Sequence, residues 1–309
     1  MTDLAAVAVR AGVSTSTASR VLTGSGPASA ASRERVLAAA AALGYHPHPV
    51  ARLLAQGRGA RVLLAVRDRR ESALADPYVT RAVAAMAAVA DRAGLGVALR
   101  RLPLDCGPEL DEIAADRGVA AVVLVGLDST ALPHRRFTAI APDGFDVDSA
   151  AAIGALLRHL HHRGRRRVAL VSGPRWLPAA RPPRRAYGNF MREAGLPHRT
   201  VTGDHTAAGG RRAARRILRA WPDTDAIVAV TDATAIGVLD VLAAHGRRVP
   251  DDVAVTGFDD VPLAGALRPA LTTAGHPVEQ IAAAACRAAL DGTGGARLFP
   301  SRPVLRRTA

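Results

Sequence analysis

The run Ala11-Gly-Val-Ser-Thr-Ser-Thr-Ala-Ser-Arg-Val-Leu22 constrains this chain more than any other stretch, because it reads as a turn and a short helix near the amino terminus. Gly12 supplies the turn, and Ser14 is an acceptor that starts the helix. Upstream, Leu4, Val7 and Val9 give a first helix, with Thr2 as its expected cap. Thr15, Ser16, Ser19 and Arg20 crowd the outward face of the second helix. A core or membrane helix would carry apolar residues there, whereas hydroxyls and a guanidinium suit phosphates and base edges. A glycine between two short helices also fits an ordinary helical hairpin. A third helix tips the balance towards a DNA-reading helix-turn-helix. It spans residues 32–43 and places Val36, Leu37, Ala40 and Leu43 on one stripe, which gives three helices a shared core. Gly44 ends it. Pro49 then suits the first position of a short helix over residues 49–55, and Gly57 and Gly59 with neighbouring arginines mark a linker.

From Arg61 onward the pattern changes to short apolar runs at 62–66, 97–99, 120–125, 168–171, 226–230 and 253–258. Continuous rather than alternating apolar character means strands covered on both faces. Amphipathic helices over 78–93, 149–163, 186–194, 208–220 and 233–244 lie between them, so the body reads as α/β with parallel sheets. Ligands in such sheets bind beyond the carboxyl ends of the strands.

The chain has 309 residues, enough for two or three domains, and a formal net charge of +14 that points to a polyanionic partner. Residues 1–61 hold seven Arg against Asp3 and Glu34, so the head is itself basic. The sequence contains no lysine. That removes P-loop and pyridoxal-phosphate chemistry, each of which needs one. Cys106 and Cys286 are far apart, belong to no metal or redox motif and read as reduced thiols. No charged start leads into an apolar leader, and no run approaches the roughly twenty apolar residues of a membrane span, so a cytoplasmic protein is expected.

Ala11-Gly-Val-Ser14, Thr17, Ser19-Arg-Val-Leu22, Arg33-Glu-Arg-Val36, Leu43-Gly-Tyr45, Pro47 and Val50-Ala-Arg52 together resemble the lac repressor (LacI-type) family of bacterial regulators. Val249-Pro-Asp-Asp-Val-Ala-Val-Thr-Gly-Phe-Asp-Asp-Val-Pro-Leu-Ala264, followed by Leu271-Thr-Thr273, resembles the same family's carboxy-terminal stretch. The resemblance implies an N-terminal three-helix helix-turn-helix domain over 1–45, a hinge helix and linker over 46–61, and a two-lobed periplasmic-binding-protein-like body over 62–309. Its first lobe would take 62–142 and a late segment near 275–297, and the second most of 143–273. It further implies a homodimer on a pseudo-palindromic double-stranded DNA operator, modulated by a small sugar-like effector, with no cofactor, metal or membrane. On that reading Thr15, Ser16 and Arg20 read bases, and Ser14, Thr17 and Ser19 position on phosphate. Val50, Arg52 and Leu54 belong to the hinge, with Leu54 as a minor-groove wedge. The Ala-rich helix through Ala82, Met86 and Val89 offers a close-packing surface in the first lobe.

By the same resemblance Thr231, Asp232 and Asp259 face the effector, with Asp76, Tyr78 and Asp148 on neighbouring loops. For Asp232 and Asp148 the preferred reading is a cap on the helix that follows, and Asp259 is the preferred ligand. Where the family commonly has an arginine before an Ala/Gly-Tyr pair, this chain has Pro183 ahead of Ala186-Tyr187, flanked by Arg181 and Arg184, and Thr231 replaces a frequent Asn. These departures leave open a regulator with a degenerate effector site. A cleft led by carboxylates predicts a neutral polyhydroxyl or cationic ligand, unless Arg181 or Arg184 swings inward. Trp176 and Tyr187 are candidate stacking residues. His159, His161 and His162 and the run Arg163-Gly-Arg-Arg-Arg167 read as a solvated helix end. A transporter's solute-binding protein would have no use for residues 11–20, and a sugar-processing enzyme would need a catalytic constellation that the sequence does not show.

Overall fold

The computed structural model describes residues 3–23, 26–45 and 60–309. Val50, Arg52, Leu54 and the helix expected over 49–55 lie outside the described residues.

The head holds three helices, α1 (Leu4–Ala11), α2 (Thr15–Thr23) and α3 (Ala30–Ala42). Asp3, not Thr2, caps α1 by accepting from Ala6 N at 2.8 Å. Gly12 ends it at φ 60°, a left-handed conformation that costs glycine little. Ser14 Oγ accepts from Thr17 N at 3.2 Å and starts α2. Ser29 caps α3 through Ser32 N. Val7, Ala8, Ala11, Ala18, Val21, Val36, Ala39 and Ala40 form the small core. Two expected core residues face outward: Val9 is 81% exposed and Leu37 52%. Ala39 takes the place given to Leu37 because a helix buries positions three and four apart, and Val36, Ala39 and Ala40 satisfy that spacing.

The first sheet of the body comprises β1 (Arg61–Arg67), β2 (Gly96–Leu102), β3 (Val119–Val125), β4 (Phe137–Ile140), β5 (Phe145–Val147) and β11 (Arg297–Phe299), all parallel and in the order β11-β5-β4-β3-β1-β2. The second comprises β6 (Val168–Ser172), β7 (Arg199–Thr202), β8 (Ala226–Ala229) and β9 (Ala254–Thr256), also parallel, in the order β7-β6-β8-β9. Strand side chains alternate between two cores. Val62, Leu64 and Val66 join one, and Leu63 and Ala65 the other. β2 departs from the expectation of cover on both faces, because it is an edge strand with only Leu102 fully buried.

On the first sheet lie α4 (Pro77–Arg92), α5 (Gly107–Ala115) and the late helix α11 (Val278–Asp291). Ala82 and Met86 are fully buried in the core shared with Ile281, Ala285 and Ala289 of α11, and Val89 packs against it partly buried, so the helix packs closely within the first lobe. On the second lie α6 (Ser149–His162), α7 (Arg181–Glu193), α8 (Ala207–Ala220), α9 (Asp232–Ala244) and the short α10 (Pro262–Ala266). β5 belongs to the first sheet, so the early crossover follows Val147 and not residue 142. The chain returns through β10 (Thr273–Ala274) to α11, then crosses again through β11 and β12 (Pro303–Val304), which pairs antiparallel with β10. The tail closes on the second lobe, where Thr308 Oγ1 donates to Val255 O at 2.6 Å and accepts from Thr272 N at 2.8 Å. No helix among the described residues is long and apolar enough to cross a membrane.

Candidate functional site

In the head, Ala18 and Val21 turn α2 inward and leave Ser14, Thr15, Ser16 and Arg20 exposed, with Thr17 and Ser19 at the margin. Ser14 Oγ lies 2.9 Å from both Ser16 Oγ and Thr17 Oγ1, so the helix begins in a cluster of hydroxyls. The Arg20 guanidinium makes no ion pair or hydrogen bond with any described residue, while its stem lies against Gly26. A face of hydroxyls and an unpaired fork is chemically ready for phosphate oxygens and the acceptor pair on guanine.

In the body, polar groups gather where strands of both sheets end. After β1, Asp68 takes Arg70 through several contacts, the shortest sidechain pair at 2.9 Å, and Arg70 reaches Asp76 at 3.5 Å. Asp76 caps α4 by accepting from Tyr78 N at 3.0 Å. The Tyr78 ring packs on His276 with centroids 5.3 Å apart, and burial pushes its phenol well above the ordinary range. His276 lies on the crossover after β10. Its Nδ1 is 3.0 Å from Asp259 Oδ1, its ring meets Phe258, and its Nε2 is buried without a hydrogen-bond partner among the described residues. Asp259 sits at φ 110° and Asp260 at φ 50°, left-handed conformations in the turn after β9, and Asp260 accepts from Arg306 Nη2 at 2.7 Å. Asp146 of β5 is buried beside this group, and burial raises its carboxyl to about 6.

The second lobe adds His205, also in a left-handed conformation at φ 65°, lying so close over Gly173 that a Cβ there would meet its Nε2 at 2.2 Å. Burial lowers its pKa, and it feels the charges of Asp259 from its own lobe and of Arg70, Asp76 and Asp68 from the other. Direct contacts also join the lobes. Arg181 donates to both oxygens of Asp128 at 3.2 Å, and the Arg67 guanidinium lies 5.7 Å from the Trp176 ring centroid.

Several expected ligands have other duties. Asp232 is fully buried: its Oδ1 accepts from Thr273 Oγ1 at 2.6 Å and its Oδ2 from Val261 N at 2.9 Å. It therefore ties the start of α9 to β10 and to the loop after β9, and both its oxygens are engaged; the cap of α9 is Thr231, which accepts from Thr234 N. Asp148 caps α6 through Ala151 N at 2.9 Å. Tyr187 is fully buried, with its hydroxyl donating to Val168 O at 2.8 Å and accepting from Arg199 N at 2.9 Å, so it cannot stack on a ligand. The arginines at 165–167 are not a free patch: Arg165 donates to Pro250 O, Arg166 to His161 O, and Arg167 pairs with Asp225. His159 and His161 are half-buried, the latter against Phe190, and only His162 is exposed. Among the described residues no three His, Cys, Asp or Glu side chains come together as a metal site.

Asp68, Asp128, Asp146, His205 and His276 escaped the sequence reading. The first four share one signal, a polar residue at or just beyond the end of a strand, where parallel sheets place their ligands.

The head matches the model described as bacterial regulatory proteins, lacI family, over residues 3–48, and the body matches the periplasmic binding protein-like domain over 157–308. The transcriptional regulator CelR of Thermobifida fusca is 31% identical over 97% of this chain and 94% of its own length. The chain belongs to the LacI family. It is a DNA-binding transcription regulator. Its fold matches the crystal structure of the lac repressor dimer bound to operator and the anti-inducer ONPF, with TM-score 0.84 at 24% identity over 99% of this chain and 98% of that one. A structure of the CelR–cellobiose complex superposes with TM-score 0.70 at 27% identity over the whole of both chains.

Proposed function

We propose that this protein is a homodimeric, cytoplasmic repressor without catalytic activity that binds a pseudo-palindromic operator and changes its affinity when a small sugar-like effector enters the cleft between its lobes. The observation that carries the reading is the pairing of two separate polar surfaces. One is the exposed face of Thr15, Ser16 and Arg20 on α2. The other is the convergence of Asp68, Arg70, Tyr78, Asp259, His276 and His205 from both lobes. A family member of similar length, CelR, has been solved with cellobiose, which supports a sugar-like ligand. In the cleft Asp259 keeps the leading role, because its Oδ2 has no partner among the described residues and accepts a ligand hydroxyl. Ligand contacts made in only one lobe arrangement shift the equilibrium between arrangements. The hinge around Val50, Arg52 and Leu54 transmits that shift to DNA, with Leu54 entering the minor groove.

Selection from a random duplex library tests the DNA half of the proposal. A palindrome with two half-sites should emerge, and Arg20→Ala should weaken binding to it by about 1–3 kcal/mol while relaxing preference at one position per half-site. Enrichment of no palindrome contradicts the proposal.

A further inference from the structure

Between the end of β6 and the first turn of α7, four arginines, Arg175, Arg181, Arg184 and Arg185, line a cavity of about 200 Å³ floored by Ala180. Arg184 is anchored: its Nη2 donates to Ser172 Oγ at 2.9 Å and approaches Gly173 O at 3.4 Å, while its Nε–H is buried with no acceptor among the described residues. Arg181 is held by Asp128 across the lobes, but this pair is open to solvent, at 59% and 32% side-chain exposure, so it is weak and exchangeable. Arg175 and Arg185 are exposed and make no ion pair with any described residue. Four positive charges thus share one carboxylate. The site is also not a generic helix terminus: Pro182 and Pro183 stand at the second and third positions of α7 and have no N–H to offer, so donors must come from side chains. Guanidinium forks match the paired oxygens of phosphate and carboxylate. Gly173, beneath Arg184, also carries His205, which links this cavity to the Asp259 group.

We infer that the effector is an anionic small molecule, a phosphorylated or carboxylated polyol, whose anion is taken by Arg175, Arg184 and Arg185 and replaces Asp128 on Arg181. The inference rests on the proposed effector cleft and names its ligand class. It reverses the neutral or cationic ligand that the carboxylates alone suggest, since Asp259 and His276 then serve the hydroxyl end.

Thermal unfolding of the full chain at matched ionic strength tests it, with inorganic phosphate, ribose 5-phosphate, glucose 6-phosphate, gluconate, ribose, glucose and cellobiose as probes. At least one sugar phosphate or gluconate should raise Tm by several degrees in the wild type and in Arg158→Gln, an exposed control on α6. The shift should vanish in Arg175→Gln/Arg184→Gln. If loss of the Ser172 anchor unfolds that variant, Arg175→Gln alone, an exposed substitution, should still shrink the shift. Anionic probes that stabilise wild type and variants alike, or neutral sugars that stabilise where anionic ones do not, overturn the inference; the second result leaves the effector cleft standing. No shift with any probe contradicts both.

Discussion

Asp232 shows how a residue at the mouth of a cleft can be withdrawn from it. Burial raises its carboxyl to about 7, and the charges of Asp259 and Asp260 act in the same direction, against the hydrogen bonds from Thr273 and Val261. The unfolded chain would release this proton near the ordinary value of 3.8. Between about pH 4 and 7 the folded state therefore binds more protons than the unfolded one, so its stability falls as pH rises through that window and levels off above it. Asp146, raised by burial to about 6, adds to the fall over the lower part. Asp232→Asn removes one titration while keeping an acceptor for Val261 N. It should flatten the dependence of the denaturation midpoint on pH between about 4 and 7. An unchanged slope would show that the carboxylate titrates normally. The sequence placed Asp232 correctly at the start of a helix but could not show that Val261 and Thr273, 29 and 41 positions away, would claim both its oxygens.

At the scale of elements, α8 and α9 approach as closely as their backbones allow. A Cβ on Gly237 would lie 1.9 Å from Ala207 O, and one on Gly210 would lie 2.1 Å from Thr234 O. Helix propensity alone favours Gly237→Ala by about 1 kcal/mol. The obstruction is carbonyl backbone and not a flexible side chain, so overpacking wins, and the substitution should destabilise by about 1–3 kcal/mol or more in denaturant unfolding. A neutral or stabilising result would mean that the two helices sit further apart. The apolar strands β6, β8 and β9 and the helices α6, α8 and α9 of the second lobe were legible because burial leaves a simple periodic trace, whereas the proline-bearing start of α7, the short α10 and the mixed strand β7 were not. α5 was not picked out, although Pro108 suits a first turn. Nor was the exposure of β2, because sequence does not say which strand of a parallel sheet stands at the edge.

At the scale of the molecule, the crossovers are where function concentrates. β10 and β12 pair between the lobes, His276 follows β10, and the tail that β12 leads into packs Thr308 against β9. On the proposed function, a ligand that engages both Asp259 and the arginines of α7 acts on the strands that connect the lobes. The proposed function couples the cleft to the head in this way, and linkage of this kind is worth about 1–3 kcal/mol. Motif spacing made the family visible in the sequence, because both motif blocks are local. The cleft was only partly visible, because Asp68 and Asp128 of the first lobe become neighbours of His205 and Arg181 of the second only after both sheets have folded and their strand ends have come together. The most direct measurement is the equilibrium affinity for the selected palindrome with and without the compound that stabilises the protein, by fluorescence anisotropy at fixed salt. The account predicts a change of roughly five- to 150-fold with ligand, lost in Asp259→Ala at the same ligand concentration. Identical affinity with and without a compound shown to bind the wild-type cleft would contradict it.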